Sequence, residues 1–218
     1  MASPDKLQVH EIYASIQGES TFAGLPCTFV RLVGCNLRCS WCDTTQAFHG
    51  GERLLRSEVL QRALDMGTQL VELTGGEPLL HAGALPLMSE LCDAGKTVLI
   101  ETSGERDISR VDPRVHRIMD LKAPGSGESS RNRWENLEHL TPRDEIKIVL
   151  ADRTDYEWAR EVVNQHSIRD RVNEVLLSCV HGALDPKDLV SWMLEDGFPG
   201  RMQLQMHKYI WDPDATGV

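Results

Sequence analysis

Three cysteines within eight residues carry the strongest chemical signal in the chain. Cys35, Cys39 and Cys42 stand in GCNLRCSWCDT, with three and then two residues between them. Free buried thiols crowded in this way would be costly, whereas soft thiolates converging on one metal centre make sense of the spacing. A tetrahedral zinc site needs a fourth ligand, usually from a second knuckle, and no second cysteine pair follows. Three thiolates can instead hold three irons of a [4Fe–4S] cubane and leave the fourth iron open to a chelating ligand. A structural zinc or a redox thiol set are the alternatives. Cys27 enters an apolar run and Cys92 lies in a helical pattern, so both are expected as small buried hydrophobes. Cys179 ends a strand and is not expected as a fourth cluster ligand, because the open iron is what makes the cluster useful.

The CxxxCxxC spacing resembles that of the radical S-adenosylmethionine (SAM) superfamily, and Trp41 matches the aromatic position favoured there. The run Thr74-Gly75-Gly76-Glu77-Pro78 ends the next strand and resembles that superfamily's GGEP motif. Without Cβ atoms, Gly75 and Gly76 let a strand end bend and approach a ligand closely. The resemblance implies that SAM chelates the open iron. An electron from the cluster then cleaves SAM to methionine and a 5′-deoxyadenosyl radical.

Strands must place these loops. Short β-branched apolar runs occur at 28–33, 70–74, 97–102, 117–122, 145–150, 174–179 and 201–206. Helical patterns lie between them. One runs from Ser57 as N-cap, with Glu58 in its first turn, to Gly67. A second spans 84–95 and stops at Gly95, and a third starts at Thr154. The fourth has Asp185 as N-cap, Pro186 in first position and Gly197 as its stop. Strands and helices in alternation predict βαβ units around a parallel sheet, as one domain over 1–218, either an open doubly wound sheet or a barrel short of eight units. In both, the ligand site lies at the carboxyl ends of the strands. Nearly every predicted strand ends there in glycine, an acid, Lys, Ser or His.

Three further stretches narrow the resemblance. Ser15-Ile16-Gln17-Gly18-Glu19-Ser20 precedes the first of these runs, Cys42-Asp43-Thr44 closes the cysteine loop, and Gln205-Met206-His207-Lys208-Tyr209 lies near the end. With Arg31, TGGEP and Glu101-Thr102-Ser103-Gly104 in order between them, residues 10–213 resemble the 7-carboxy-7-deazaguanine synthase family. That family implies an α/β fold, an abbreviated (βα)6 radical SAM barrel with parallel strands, and a homodimer. It implies a lyase that binds 6-carboxy-5,6,7,8-tetrahydropterin, removes hydrogen from C6, contracts the ring and releases ammonia, with magnesium assisting.

The resemblance carries over residue by residue. Cys35, Cys39 and Cys42 would hold the cluster. Trp41, Cys42, Asp43, Gly76, Ser103 and the Asp120-Leu121-Lys122 strand end would lie beside SAM, and Ser178, Cys179, Val180 and His181 would reach its adenosine end. Ile16, Gln17, Gly18 and Glu19 would face the pterin, with Thr74 and His207 as further contacts. Arg31 would receive the substrate carboxylate, for which a bidentate fork suits better than Lys, and Thr44 would be the magnesium ligand. Arg31 and Glu19 are the catalytic candidates. Plainer readings exist: Arg31 facing solvent, Thr44 as a turn residue, Ser103 as a cap, His207 as a core histidine. Ser20 stands where the family often has Gly, and Cys179 where Pro is common. Pro213 matches a proline that ends some members, but Asp214 to Val218 continue, so a terminal-carboxylate contact by Pro213 is not expected.

Charge limits the function classes. The 218 residues carry 23 Lys and Arg against 33 Asp and Glu, a net charge of −10. Gripping nucleic acid requires cations to displace phosphate counterions, so direct nucleic-acid binding is not expected. No apolar run is long enough to span a membrane, and MASPDKLQVHE lacks a secretory signal, so a cytoplasmic protein is expected. The expected partners are a small pterin, an electron donor such as flavodoxin or ferredoxin, and a second copy of the chain. The competing functions are a glycyl-radical-enzyme activase of the same superfamily and a non-enzymatic, metal-stabilised binding protein.

Overall fold

The computed structural model describes residues 4–212 and 215–217. Pro213, Asp214 and Val218, on which one expectation rested, lie outside the described residues. Nine strands form one sheet: β1 (Lys6–Ile16), β2 (Pro26–Leu32), β3 (Glu52–Leu55), β4 (Leu70–Gly75), β5 (Thr97–Thr102), β6 (His116–Asp120), β7 (Glu145–Leu150), β8 (Glu174–Cys179) and β9 (Arg201–Gln203). Their order is β3-β1-β2-β4-β5-β6-β7-β8-β9. The seven strands from β2 through β4 to β9 are mutually parallel, as expected. At one edge β1 pairs antiparallel with both β2 and β3, which the sequence reading did not predict. KLQVHEIYASI alternates apolar and polar residues, and its register shifts between Val9 and Glu11. A half-polar, bulged strand has no continuous apolar run to betray it.

Four helices pack on the outer face: α1 (Arg56–Asp65), α2 (Ala84–Asp93), α3 (Arg153–Gln165) and α4 (Pro186–Asp196). The last follows its expected signals: the Asp185 side chain accepts from the Lys187 N–H, Pro186 opens the helix and Gly197 closes it at φ +58°. Ser57 is not the cap of α1. β3 runs straight into that helix, and the Arg56 N–H is satisfied by the Asp5 carbonyl instead. α3 starts one residue before the expected Thr154, and Asp152 caps it by accepting from the Asp155 N–H. The connections β5–β6 and β6–β7 contain no α-helix, only turns and short 3-10 segments. The seventh expected strand ends at Gln203. There the chain leaves the sheet, the Met206 N–H donates to the Gly18 carbonyl, and a single turn, α5 (His207–Ile210), follows.

The two faces of the sheet do different work, and period-two alternation separates them. Val30 and Leu32, Val71 and Leu73, Val98 and Ile100, Ile146 and Ile148, and Val175 and Leu177 face the helices in the main core. Cys27, Phe29, Leu70, Leu99 and Ile118 form a second apolar cluster. One step further along the same strands, towards their carboxyl ends, stand Arg31, Glu72, Glu101 and Asp120, with Thr74 beyond Glu72 and Lys147 joining them from β7. Apolar plugging thus gives way to a polar floor within one or two residues per strand. Cys27 is buried as expected, and Cys92 is half-buried against the main core. Among the described residues no helix is long and apolar enough to cross a membrane.

The tip of the β1–β2 hairpin, residues 17–25, reaches across the floor. Gln17 and Gly24 close the tip through backbone bonds. Thr21 donates from its N–H and its hydroxyl to Glu145 at the start of β7. The Ser20 N–H donates to Gln203 on β9 at 2.8 Å. Ser20 sits at φ +65°, a left-handed conformation that explains why glycine suits this position. Here the serine's contacts to Gln203 and to the Phe22 N–H offset the backbone cost.

Candidate active site

One cavity of about 540 Å3 opens at the carboxyl ends of the strands. It is lined by every expected site residue save one. Leu121 is the exception: its side chain is buried in the main core, and only its N–H is engaged locally, donating to the Lys147 carbonyl. Alternation along β6 forces this, because Asp120 and Lys122 face the cavity and the residue between them must face away.

The cysteine loop crosses the mouth between β2 and the first 3-10 turn. Two glycines set its position. Gly75 has φ +131°, and a Cβ on it would collide with the Leu32 backbone. A Cβ on Gly76 would meet the Gly34 carbonyl and lie 2.8 Å from the Cys35 Cβ. The Gly pair therefore lets the end of β4 press against the start of the loop, a tighter role than ligand access alone. Glu77, fully buried, then fastens β4 to β5. It accepts from the Thr102 hydroxyl at 2.9 Å and from the Ser103 N–H and hydroxyl at 2.7 and 2.6 Å. Ser103 lines the cavity, but its hydroxyl proton is committed to Glu77.

The residues present fit an iron–sulfur cluster and SAM. All three thiols are half-buried on the cavity wall, and burial pushes those of Cys35 and Cys39 up. Among the described residues no trio of His, Cys, Asp or Glu gathers closely enough to hold one metal ion. Three thiols spread around one mouth suit a multi-iron cluster better than a single zinc. Beside them, Asp120 pairs through Oδ2 with Lys122 at 2.7 Å, while its Oδ1 is buried with no partner. A buried acceptor left open in this way is costly unless a ligand donates to it.

The opposite wall is the hairpin tip. The Gln17 side chain accepts from the Glu19 N–H at 2.8 Å and donates to Glu72. Glu19 accepts from Lys147 at 3.0 Å and from Gln205 at 2.9 Å. Burial works to raise the Glu19 carboxyl, but the Lys147 ammonium and the Gln205 amide outweigh it and hold it below the usual range. His207 packs over Gly18, where a Cβ would stand 2.5 Å from its Nδ1. Arg31 reaches the cavity already engaged, its Nε on Glu11 at 2.7 Å and an Nη on the Tyr13 hydroxyl at 2.9 Å. The Thr44 hydroxyl donates to Asp43 at 3.0 Å, and Asp43 also accepts from Lys208 at 3.1 Å. Ser178 accepts from Gln203 at 2.9 Å, and Cys179, Val180 and His181 continue the wall.

Sequence reasoning missed Glu72 and Lys147 and gave Glu101, a motif residue at its strand end, no role; these three form the floor. It also missed Glu11 and Tyr13, which hold Arg31. A signal for the first three existed. LVELT, TVLIET and EIKIVL each carry an internal or terminal charge in a run otherwise fit for a strand buried on both faces, and such a charge must be paired or functional.

Comparison with known proteins agrees with this geometry. The Radical SAM superfamily model matches residues 29–124. The 7-carboxy-7-deazaguanine synthase of Koribacter versatilis is 46% identical over 226 residues, covering 97% of this chain and 100% of that one. The synthase of that name from Chlorobaculum tepidum is 47% identical over 221 residues and matches all of both chains. The crystal structure of QueE from Escherichia coli shares the fold, with a TM-score of 0.74 at 24% identity over 93% of this chain and 95% of that one. The chain thus belongs to the 7-carboxy-7-deazaguanine synthase family of the radical SAM superfamily, whose chemistry runs on SAM and a [4Fe–4S] cluster.

Proposed function

We propose that this protein converts 6-carboxy-5,6,7,8-tetrahydropterin to 7-carboxy-7-deazaguanine, with loss of ammonia. The observation that carries the reading is that the cysteine loop and the Gln17–Glu19 tip line one and the same cavity. Cluster and SAM, when bound, supply a one-electron cleavage that yields the hydrogen-abstracting species. The chain's own residues do the rest. Cys35, Cys39 and Cys42 hold the cluster, and Asp120 Oδ1 offers an acceptor beside it. Gln17, Gly18 and Glu19 present backbone and carboxylate groups to the heterocycle, and a buried polar ligand must be fully paired by such groups. Arg31 has one guanidinium nitrogen beyond those committed to Glu11 and Tyr13, and we assign it to the substrate carboxylate. Holding C6 against the SAM side of the cavity is a positioning task, and positioning alone is worth several kcal/mol of barrier, about 7–11 in favourable cases.

The activase reading requires room for a protein segment, and the hairpin tip that crosses the floor works against it. The deciding experiment is anaerobic turnover of the reconstituted protein with SAM, a reductant and 6-carboxytetrahydropterin. Formation of the deazaguanine chromophore is the expected result. Cleavage of SAM to 5′-deoxyadenosine with no pterin consumed would favour the activase.

Magnesium belongs to the same proposal. The Thr44 hydroxyl stands two residues past Cys42 and lines the cavity, and we assign it as a ligand to a hard cation together with substrate oxygens and water. Thr44→Val keeps the shape and removes that oxygen. Turnover and its response to added magnesium should both fall while 5′-deoxyadenosine formation persists. Unchanged magnesium dependence would place the ion elsewhere. As a radical SAM enzyme the protein needs a one-electron reductant, for which we propose a flavodoxin or ferredoxin. We also propose a single catalytic domain working as a homodimer in the cytoplasm.

A further inference from the structure

Glu72, Glu101 and Lys147 come from three different strands and meet Glu19 at the cavity floor. The Lys147 ammonium lies 3.0 Å from Glu19 and 3.0 Å from Glu101. Glu72 is 2% exposed and accepts through Oε2 from the Gln17 amide. That amide is oriented by the Glu19 N–H on its oxygen, so its NH2 must face Glu72. The charged and titratable groups facing Glu72 are Tyr13, Glu19, Cys27, Arg31, Glu101 and Lys147. Arg31 is committed to Glu11 and Tyr13, and Lys147 to Glu19 and Glu101. One ammonium, in contact with two carboxylates, does not reach the third, and Glu72 is the buried carboxyl left without a cation in contact.

We propose that Glu72 recognises the pterin as a neutral carboxylic acid, while Glu19 meets it as an ionised carboxylate. This deepens the functional reading and rests on it. Burial, and after it the charge of Glu101, push the Glu72 carboxyl well above the usual range, opposite to Glu19. Neighbouring carboxyls driven apart in this way divide donor and acceptor roles between them. With Oε2 taken by Gln17, Oε1 is the oxygen left to carry the proton. A neutral acid can donate to a ring oxygen or nitrogen, which a carboxylate cannot. Two acids of opposite protonation therefore match a heterocycle edge that mixes donors and acceptors.

The test is equilibrium affinity for 6-carboxytetrahydropterin, measured anaerobically on the reconstituted enzyme from acid to alkaline pH, for the native protein and for Glu72→Gln. Glutamine keeps one donor and one acceptor in the same volume. The variant should bind within about threefold of native near neutrality, a difference smaller than one ordinary hydrogen bond. The native affinity should fall on the alkaline side as Glu72 ionises, and the variant should lack that fall. Comparing the two cancels ionisation of the ligand itself. A folded Glu72→Gln enzyme that still binds SAM but loses about a hundredfold near neutrality would show that an ionised carboxylate is needed, and would overturn the proposal. So would identical pH profiles. If the variant does not fold, infrared spectroscopy of the native enzyme decides. A protonated-carboxyl C=O band should persist at neutral pH and shift on adding the pterin, and its absence overturns the assignment. A native enzyme with that band but no pterin affinity at any pH would overturn the functional reading, and the recognition role with it.

Discussion

Replacing Cys35 by Ala should abolish SAM cleavage and strip iron from the protein while leaving the fold intact. Two thiolates cannot hold a cubane cluster, and no other side chain replaces the third. Among the described residues no nearby carboxylate or imidazole completes a trio with the remaining cysteines. The substitution is also structurally mild. Alanine keeps the Cβ that packs beside Gly76, so the contact between the loop and the end of β4 survives. The sulfur's local role is small, a 3.4 Å bond accepted from the Leu37 N–H. Cys39→Ala and Cys42→Ala should behave alike. Cys92→Ala, in α2 and away from the cavity, should retain iron and activity, with at most the loss of a partly buried sulfur's packing. Iron content, 5′-deoxyadenosine formation and far-ultraviolet circular dichroism distinguish these outcomes. Full iron and activity in Cys35→Ala would remove the basis for a cluster in this loop.

Why the cysteine loop was legible and the cavity floor was not follows from how each is encoded. The loop packs its chemistry into eight consecutive residues, and the GGEP turn does the same, so spacing alone carries the signal. Parallel strands likewise announce themselves by short continuous apolar runs, as at 98–100 and 175–177. The antiparallel β1 hides because half its residues face polar surroundings and its register shifts after Val9. With β1 unseen, Glu11 and Tyr13 could not be placed beside Arg31, and the arginine looked free for a substrate carboxylate when most of its donors are engaged. The Lys147 cluster is encoded at still longer range: its contacts to Glu19 and Glu101 span 128 and 46 residues. Each member is a single charge in a strand, and only the sheet order brings them together. Leu121 shows the converse case: in a strand-end motif of three consecutive residues the middle side chain must point to the other face, here into the main core.

Lys147 is the position where that long-range encoding should be most costly to break. Its ammonium is the shared counterion of Glu19 and Glu101, and all three side chains are mostly shielded from water. Lys147→Met keeps the stem and removes the charge. Two carboxylates then face each other and Glu72 across the floor with no cation in contact. Removing one partner of a buried ion pair costs about 3–5 kcal/mol, because the charge left behind stays desolvated. The sign of the pH dependence follows from the groups themselves. Burial would lower Lys147, but Glu101 and Glu19 hold its pKa well above the usual value, so its stabilisation is lost only as strongly alkaline pH approaches that raised pKa. Glu19 sits below its usual range in the native protein, so its stabilisation is present above that range and is lost on acidification. Without Lys147, burial dominates and pushes Glu19 upward. It protonates at higher pH, and protonation relieves the repulsion. The stability gap between native and variant should therefore be widest near neutral pH and narrow as pH falls, read by chemical denaturation across that range. Substrate affinity should follow: Lys147→Met loses the ionised Glu19 on which pterin binding is proposed to depend, while SAM, which we propose is held by the cluster side of the cavity, keeps its affinity. A gap that stays constant with pH would show that Lys147 contributes packing alone. Equal loss of SAM and pterin affinity would show that the floor supports the whole cavity and not one ligand.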